Sequence, residues 1–388
     1  MKIDKGNSKH WIYLLRSLLI IIITLPVSVL RTKKNLILYG HKLNGNLSAL
    51  YDFVNDQNLN FDIFFLTMDP RYYRQLKEEG KNVLHMGSVS DMARVARAGA
   101  IITDHGMHTL ILYRLFTSIR FIDVWHGLSY KGFDAQTFKH LHGHDETWVQ
   151  SETMREFYVN KFGFSENQVK VTGYGRADRL ILGQYDRSAI LEKYRLPDRK
   201  TILLAPTWTQ DDKNRSILPF GVSLEAFFDA MEEVGKKKSA TVIFRTHLNS
   251  GDSINVDHYD HIRVMPSSLY PVAEEFLFIT DLLVTDWSSI ATDYLVLKRP
   301  TLFLDVPAPF AKGFTLGPEH RFGEIVTSMD EMIKSIDTYI NDQPLFLSKY
   351  EQKMIHTLSA SYGSTIDGKA RERYLLHLKR ILNITDKC

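Results

Sequence analysis

From residue 35 onward the chain alternates short β-rich runs with amphipathic helical stretches, and this alternation leaves few folds open to it. The runs NLILYG, FDIFFLT, NVLHMG, GAIITDHG, FIDVWHG, ETWVQS and VKVTGYG are separated by segments such as NLSALYDFVNDQ, DPRYYRQLKEEG and SVSDMARVARAG. In those segments apolar residues recur every three or four positions, the helical period. A second series, TILLAPTW, ATVIFRTH, HIRVMPSS, DLLVTDWSS and PTLFLDVP, follows a polar helical stretch that Pro197 closes. Such repetition predicts mostly parallel sheets with helices on both faces. At 388 residues the chain is too long for one ordinary core. The reading is therefore α/β: two Rossmann-like domains in a GT-B arrangement, ending in an amphipathic region, KARERYLLHLKRIL. The expected units are an N-terminal segment (1–34), a first domain (35–185) and a second domain with C-terminal helices (186–388).

The N-terminal segment carries a different signal. WIYLLRSLLIIIITLPVSVL, residues 11–30, is long enough to cross a bilayer. Around it Lys2, Lys5, Lys9, Arg16, Arg31, Lys33 and Lys34 are opposed only by Asp4. No small-residue cleavage site follows, which argues against a cleaved signal peptide. A spanning anchor, a helix lying in the interface and a buried first helix all fit the run. The basic flanks favour membrane contact with the body on the cytoplasmic side. A net charge of +3 gives no case for nucleic acid, and the single cysteine, Cys388, excludes an intramolecular disulfide. Neither a dinucleotide glycine fingerprint nor a Walker-type phosphate loop is present.

Ligands of parallel α/β sheets bind outside the carboxyl ends of the strands, and the distinctive residues cluster there: DVWHG (123–127), TGYGRAD (172–178), APTW (205–208), FRTH (244–247) and VTDWSS (284–289). His126 is either a residue held at a tight turn by Gly127 or a neutral imidazole placed to take a proton from a hydroxyl. Arg245 and His247 would share a strand face if the strand continued through both, giving a cationic pair suited to a diphosphate leaving group. Thr207, Ser288 and Ser289 are short donors for phosphate oxygens, although a serine at a strand-to-helix turn also caps the helix. Asp286 binds a ribose hydroxyl, orients a neighbour or caps. Trp208 and Trp287 flank a base or pack in the core. HLHGHDE (140–146) has neither cysteine pairs nor zinc-protease spacing, so it reads as a solvated loop and no metal is expected.

In this order, VWHG with Lys131 shortly after it, TGYGRAD, APTW, FRTH and TDWSSIATDYLVLKRP resemble the CDP-glycerol glycerophosphotransferase family of teichoic acid synthesis over most of residues 35–310. The apolar, basic N-terminal segment looks like the shorter, primase-like members. The resemblance implies a membrane-attached enzyme of the cytoplasmic face, with no cofactor. A hydroxyl of a lipid-linked disaccharide would attack the glycerol-bearing phosphate of CDP-glycerol and release CMP. It implies catalytic roles for His126 and His247, and substrate contacts for Lys131, Arg176, Thr207, Trp208, Arg245, Asp286, Ser288 and Ser289. Leu128-Ser129 stand where the family has Thr-Pro, Gly175 and Leu248 where it has Pro, and Trp287 where Tyr is common. The altered WHGLSYKG loop bears on the acceptor and on the alditol of the donor, which leaves CDP-ribitol open. A GT-B glycosyltransferase using a nucleotide sugar shares the fold but releases a nucleoside diphosphate. A non-catalytic membrane scaffold would tolerate loss of both histidines.

Overall fold

Alternation within the first strand decides the layering. In β1 (Asn35–Tyr39), Leu36 and Leu38 enter one core while Ile37 and Tyr39 enter another. A strand buried on both faces belongs inside a parallel sheet covered on each side. The computed structural model describes residues 8–57, 59–125, 127, 130–207, 219–245 and 256–384. Among these, thirteen strands form two sheets, and every paired strand runs parallel to its neighbour.

The first sheet adds β2 (Asp62–Thr67), β3 (Val83–His85), β4 (Ala100–Thr103), β5 (Arg120–Asp123), β6 (Glu146–Val149) and β7 (Val169–Val171), in the order β3-β2-β1-β4-β5-β6-β7. The second contains β8 (Lys200–Ala205), β9 (Ala240–Phe244), β10 (Ile262–Val264), β11 (Leu282–Thr285), β12 (Thr301–Leu304) and β13 (Glu324–Val326), in the order β10-β9-β8-β11-β12-β13. Each order reverses once, between β1 and β4 and between β8 and β11. Reversal points of this kind open a crevice beyond the strand ends.

The N-terminal run is a helix over Ser8–Thr24, continued by a 3₁₀ segment, Leu25–Leu30, where Pro26 removes a helical donor. One face is docked: Ser17, Ile20, Ile21 and Thr24 are buried, and Thr24 Oγ1 lies 2.7 Å from the Tyr113 hydroxyl. The other face leaves Ile12, Leu15, Leu19, Ile22 and Ile23 exposed. Beside it the short helix Ile111–Phe116 exposes Leu115 and Phe116. The segment is long and apolar enough to cross a membrane, yet it lies along the first sheet's helical layer instead of projecting from it.

The C-terminal helix, Ala370–Ile381, was grouped by sequence with the second unit, but its apolar face packs on the first sheet. Tyr374 stacks on Trp148 at 4.7 Å between ring centres, and Leu378 and Leu382 join the same core. TGYGRAD is its anchor. Asp178 accepts hydrogen bonds from the amides of Ala370 and Arg371, and the Tyr374 hydroxyl accepts from the Gly175 amide and donates to the Gly173 carbonyl.

Candidate functional site

Gly127, shortly after β5, lies close to both Arg176 of the first unit and Ser289 of the second. It has φ +129°, a left-handed conformation that favours glycine. A side chain there would meet the Arg176 guanidinium at 3.0 Å and the Ser289 hydroxyl at 3.7 Å. The turn leading to it is fixed by Asn46, which donates to the Trp125 carbonyl and accepts from the Arg176 amide. His126, Trp208 and His247 lie outside the described residues.

On the second sheet, Asp286 directly follows β11 and is 1% exposed. Its Oδ1 accepts hydrogen bonds from the Thr207 amide at 2.7 Å, the Thr207 hydroxyl at 2.5 Å and the Trp287 amide at 2.6 Å. Of the roles open to it, orienting a neighbour is the one its geometry performs, joining the ends of β8 and β11 across the order reversal. Ser288 Oγ accepts from the Ile290 amide at 3.4 Å, a long capping bond. Ser289 makes no cap bond and is exposed beside Gly127. The two hydroxyls therefore differ: one caps weakly and the other faces the crevice.

Trp287 is buried, with its indole donating to the Val306 carbonyl, Tyr130 against one edge and the Arg321 guanidinium 4.6 Å from its ring centre. It packs the core here. Arg245 directly follows β9, which ends at Phe244, and its expected partner His247 lies outside the described residues. Its guanidinium donates to the Met265 and Tyr270 carbonyls and covers the Phe276 ring. Burial pushes its pKa down to about 10.

Arg176 reaches from the first unit into the second and pairs with Asp293 at 3.0 Å, both side chains being nearly buried. Burial opposes its charge, but Asp293 and Glu274 outweigh that and push its pKa up. A cavity of about 450 Å³ opens beside it between the units, with Leu43, Tyr72, Tyr270 and Glu274 in its wall. Lys131 lies in residues 130–132, which cross to the second unit. Gly132 donates to the Gly313 carbonyl, Thr315 to the Tyr130 and Lys131 carbonyls, and Tyr130 is buried in the second core.

The HLHGHDE donors have other partners. His142 bonds the Phe162 carbonyl, His144 contacts Thr103 and the Leu141 carbonyl, Asp145 pairs with Arg120, and Glu146 holds His377 and Arg380. Sequence reasoning passed over His41, after β1, and Asp104 and His105, after β4. His105 Nδ1 donates to Asp104 Oδ1 at 2.7 Å, and the His41 and His105 rings are 4.3 Å apart. The signal was present: TDHG ends β4 as TDWSS ends β11.

The family model for CDP-glycerol:poly(glycerophosphate) glycerophosphotransferase matches residues 22–378. The chain belongs to this family. Among relatives of this glycerophosphotransferase-family chain, the teichoic acid ribitol-phosphate polymerase TarK of Staphylococcus aureus is 26% identical over 361 residues, covering 87% of this chain and 66% of that protein. The teichoic acid glycerol-phosphate transferase of the same species is 27% identical over 285 residues, covering 65% of this chain and 69% of that protein. The chain spans between about half and two thirds of the first three relatives' lengths. The solved wall teichoic acid polymerase TagF shares the fold, with a TM-score of 0.74, 18% identity and coverage of 97% of this chain and 98% of that one.

Proposed function

We propose that this chain transfers glycerol phosphate from CDP-glycerol to a hydroxyl of a lipid-linked acceptor, an undecaprenyl-diphosphate disaccharide, releasing CMP in teichoic acid synthesis. The observation that carries the reading is the junction at Gly127, where the exposed Ser289 of the second sheet faces the strand ends of the first. In a GT-B arrangement the second sheet holds the nucleotide, with Ser288 and Ser289 donating to the diphosphate, Thr207 lining the same strand ends with its two donors on Asp286, and Trp208 near the base. Asp286 acts by holding Thr207 in place. Lys131, Arg176 and Arg245 add positive charge around the crevice, and His247 supports the leaving CMP. His126 assists the attacking hydroxyl from the acceptor side.

Membrane attachment belongs to the same reading. The docked N-terminal helix, with its exposed apolar face, lies in the cytoplasmic leaflet and brings the body to its lipid-linked acceptor.

The test is turnover of radiolabelled CDP-glycerol by the full-length chain with a panel of lipid-linked acceptors. CMP release with label in the lipid product is the expected result. Release of a nucleoside diphosphate from a sugar donor instead would establish glycosyl transfer and overturn the proposal. CDP-ribitol is run in parallel because relatives of this chain include ribitol-phosphate polymerases.

A further inference from the structure

The strand ends beside the order reversal are equivalent in the two sheets. β4 ends at Thr103 with Asp104 next, as β11 ends at Thr285 with Asp286 next. Asp286 reaches across to Thr207, after β8. Asp104 reaches across to the turn after β1, where Gly40 leaves room: a Cβ at Gly40 would lie 2.3 Å from Asp104 Oδ1. Asp104 then accepts the hydrogen bond from His105 Nδ1. A carboxylate on Nδ1 places the proton there and the lone pair on Nε2. The Asp104 side chain is 6% exposed and that of His105 29%, so a buried carboxylate orients an imidazole that reaches solvent. His41 packs against it, its own pKa pushed down to about 4 by burial and then by His105. The Trp125 ring is 6.4 Å from His105, and the chain runs from Trp125 to Gly127 beside Ser289.

We propose that His105, held by Asp104, is a further acid–base residue of the transfer, receiving the proton of the attacking acceptor hydroxyl. This rests on the phosphotransfer reading. The acceptor O–H bond breaks and its oxygen forms the new P–O bond. The P–O bond to CMP breaks with its electron pair on CMP, and the proton is held on His105 Nε2. The carboxylate of Asp104 stabilises the imidazolium that results. His126 follows Trp125 directly in sequence and serves the same acceptor side. Both histidines serve this one proton path, with the proton ending on His105, so their effects are not additive.

The experiment is single turnover by the full-length chain with CDP-glycerol and a short-chain analogue of the lipid-linked disaccharide. His105→Ala is expected to slow CMP release by roughly 10²–10⁴-fold, with CDP-glycerol affinity unchanged by calorimetry and part of the rate restored by added imidazole. Asp104→Asn is expected to slow release as well, without imidazole rescue, and His105→Ala/His126→Ala to lose no more than the worse single variant. A His105→Ala rate near wild type, or a loss explained by weaker donor binding, overturns the proposal; so does a slow variant that imidazole does not restore. Should His105→Ala fail to fold, His105→Gln keeps a donor for Asp104. Folded and slow supports the assignment; folded and fast overturns it. A wild type that releases no CMP from either CDP-alditol overturns the phosphotransfer reading itself, whereas failure of the variant series alone leaves that reading standing.

Discussion

Asp286 gathers three donors on one oxygen, and this leaves the hydroxyls of Ser288 and Ser289 as the adjustable part of the proposed donor site. Replacing both serines by Ala is expected to weaken CDP binding by about 1.5–3 kcal/mol for each hydrogen bond lost to a charged group. Calorimetry on the folded double variant checks it; unchanged affinity would remove both from the site. Ser289 is expected to contribute the larger share, because its hydroxyl caps nothing. At this scale the sequence was legible where a motif ended a strand, as in VTDWSS. At FRTH it gave only a condition, a strand that continues past its apolar core, and β9 stops at Phe244. For the Asp104–His105 pair the motif after the strand was visible, but not the bond between the two side chains, which depends on the close approach of Asp104 that Gly40 leaves room for.

Among elements, the strands and most helices follow from apolar periodicity, but a periodic pattern says that a face is buried and not against what. The C-terminal helix shows the gap: its apolar face was visible, while its partner, the first sheet, was not. Glu146 ties that helix down, accepting from the Trp148 indole, with His377 and Arg380 on the same carboxylate. Burial opposes its charge, yet those hydrogen bonds outweigh burial and hold its pKa below the ordinary value. A carboxylate depressed in the folded state stabilises it above the unfolded pKa, near 4.3, and loses that contribution as pH falls through the folded value. Hydrogen-exchange protection across residues 370–381, taken relative to the intrinsic rate at each pH, is therefore expected to fall below about pH 4, and Glu146→Gln to remove this pH dependence. Protection of the helix that does not change between neutral and acid pH would show that the carboxylate does not hold it.

For the molecule as a whole, Arg176 and Asp293 form a buried charge pair between the units. Arg176→Ala leaves Asp293 without its cation, and a loss of about 3–5 kcal/mol in urea denaturation is expected. Asp293→Asn in the same background should recover part of it; no recovery would mean that packing and not charge accounts for the loss. The N-terminal helix acts at the same scale. Leu15→Asp with Leu19→Asp changes its exposed face alone. Each leucine withdrawn from lipid forfeits roughly 1.5–3 kcal/mol, so the variant is expected to leave vesicles of anionic phospholipid while keeping its fold by circular dichroism. Continued co-sedimentation would place the membrane contact elsewhere. The composition and basic flanks of residues 11–34 were enough to suggest a membrane, but which side of the helix docks on the body depends on Tyr113, nearly ninety residues away.

The docking of Ala370–Ile381 on the first sheet also bears on the order in which the protein is made. A ribosome completes β7 at Val171, but Tyr374, Leu378 and Leu382, which cover that sheet's core, emerge only after the whole second unit. At ~5–20 residues per second the interval is on the order of 10–40 s. Through that time the nascent first sheet has one face short of its cover, while the apolar N-terminal helix is already free of the ribosome. Early capture of that helix by the bilayer would hold the unfinished sheet at the membrane, away from other nascent chains, until its last helix arrives.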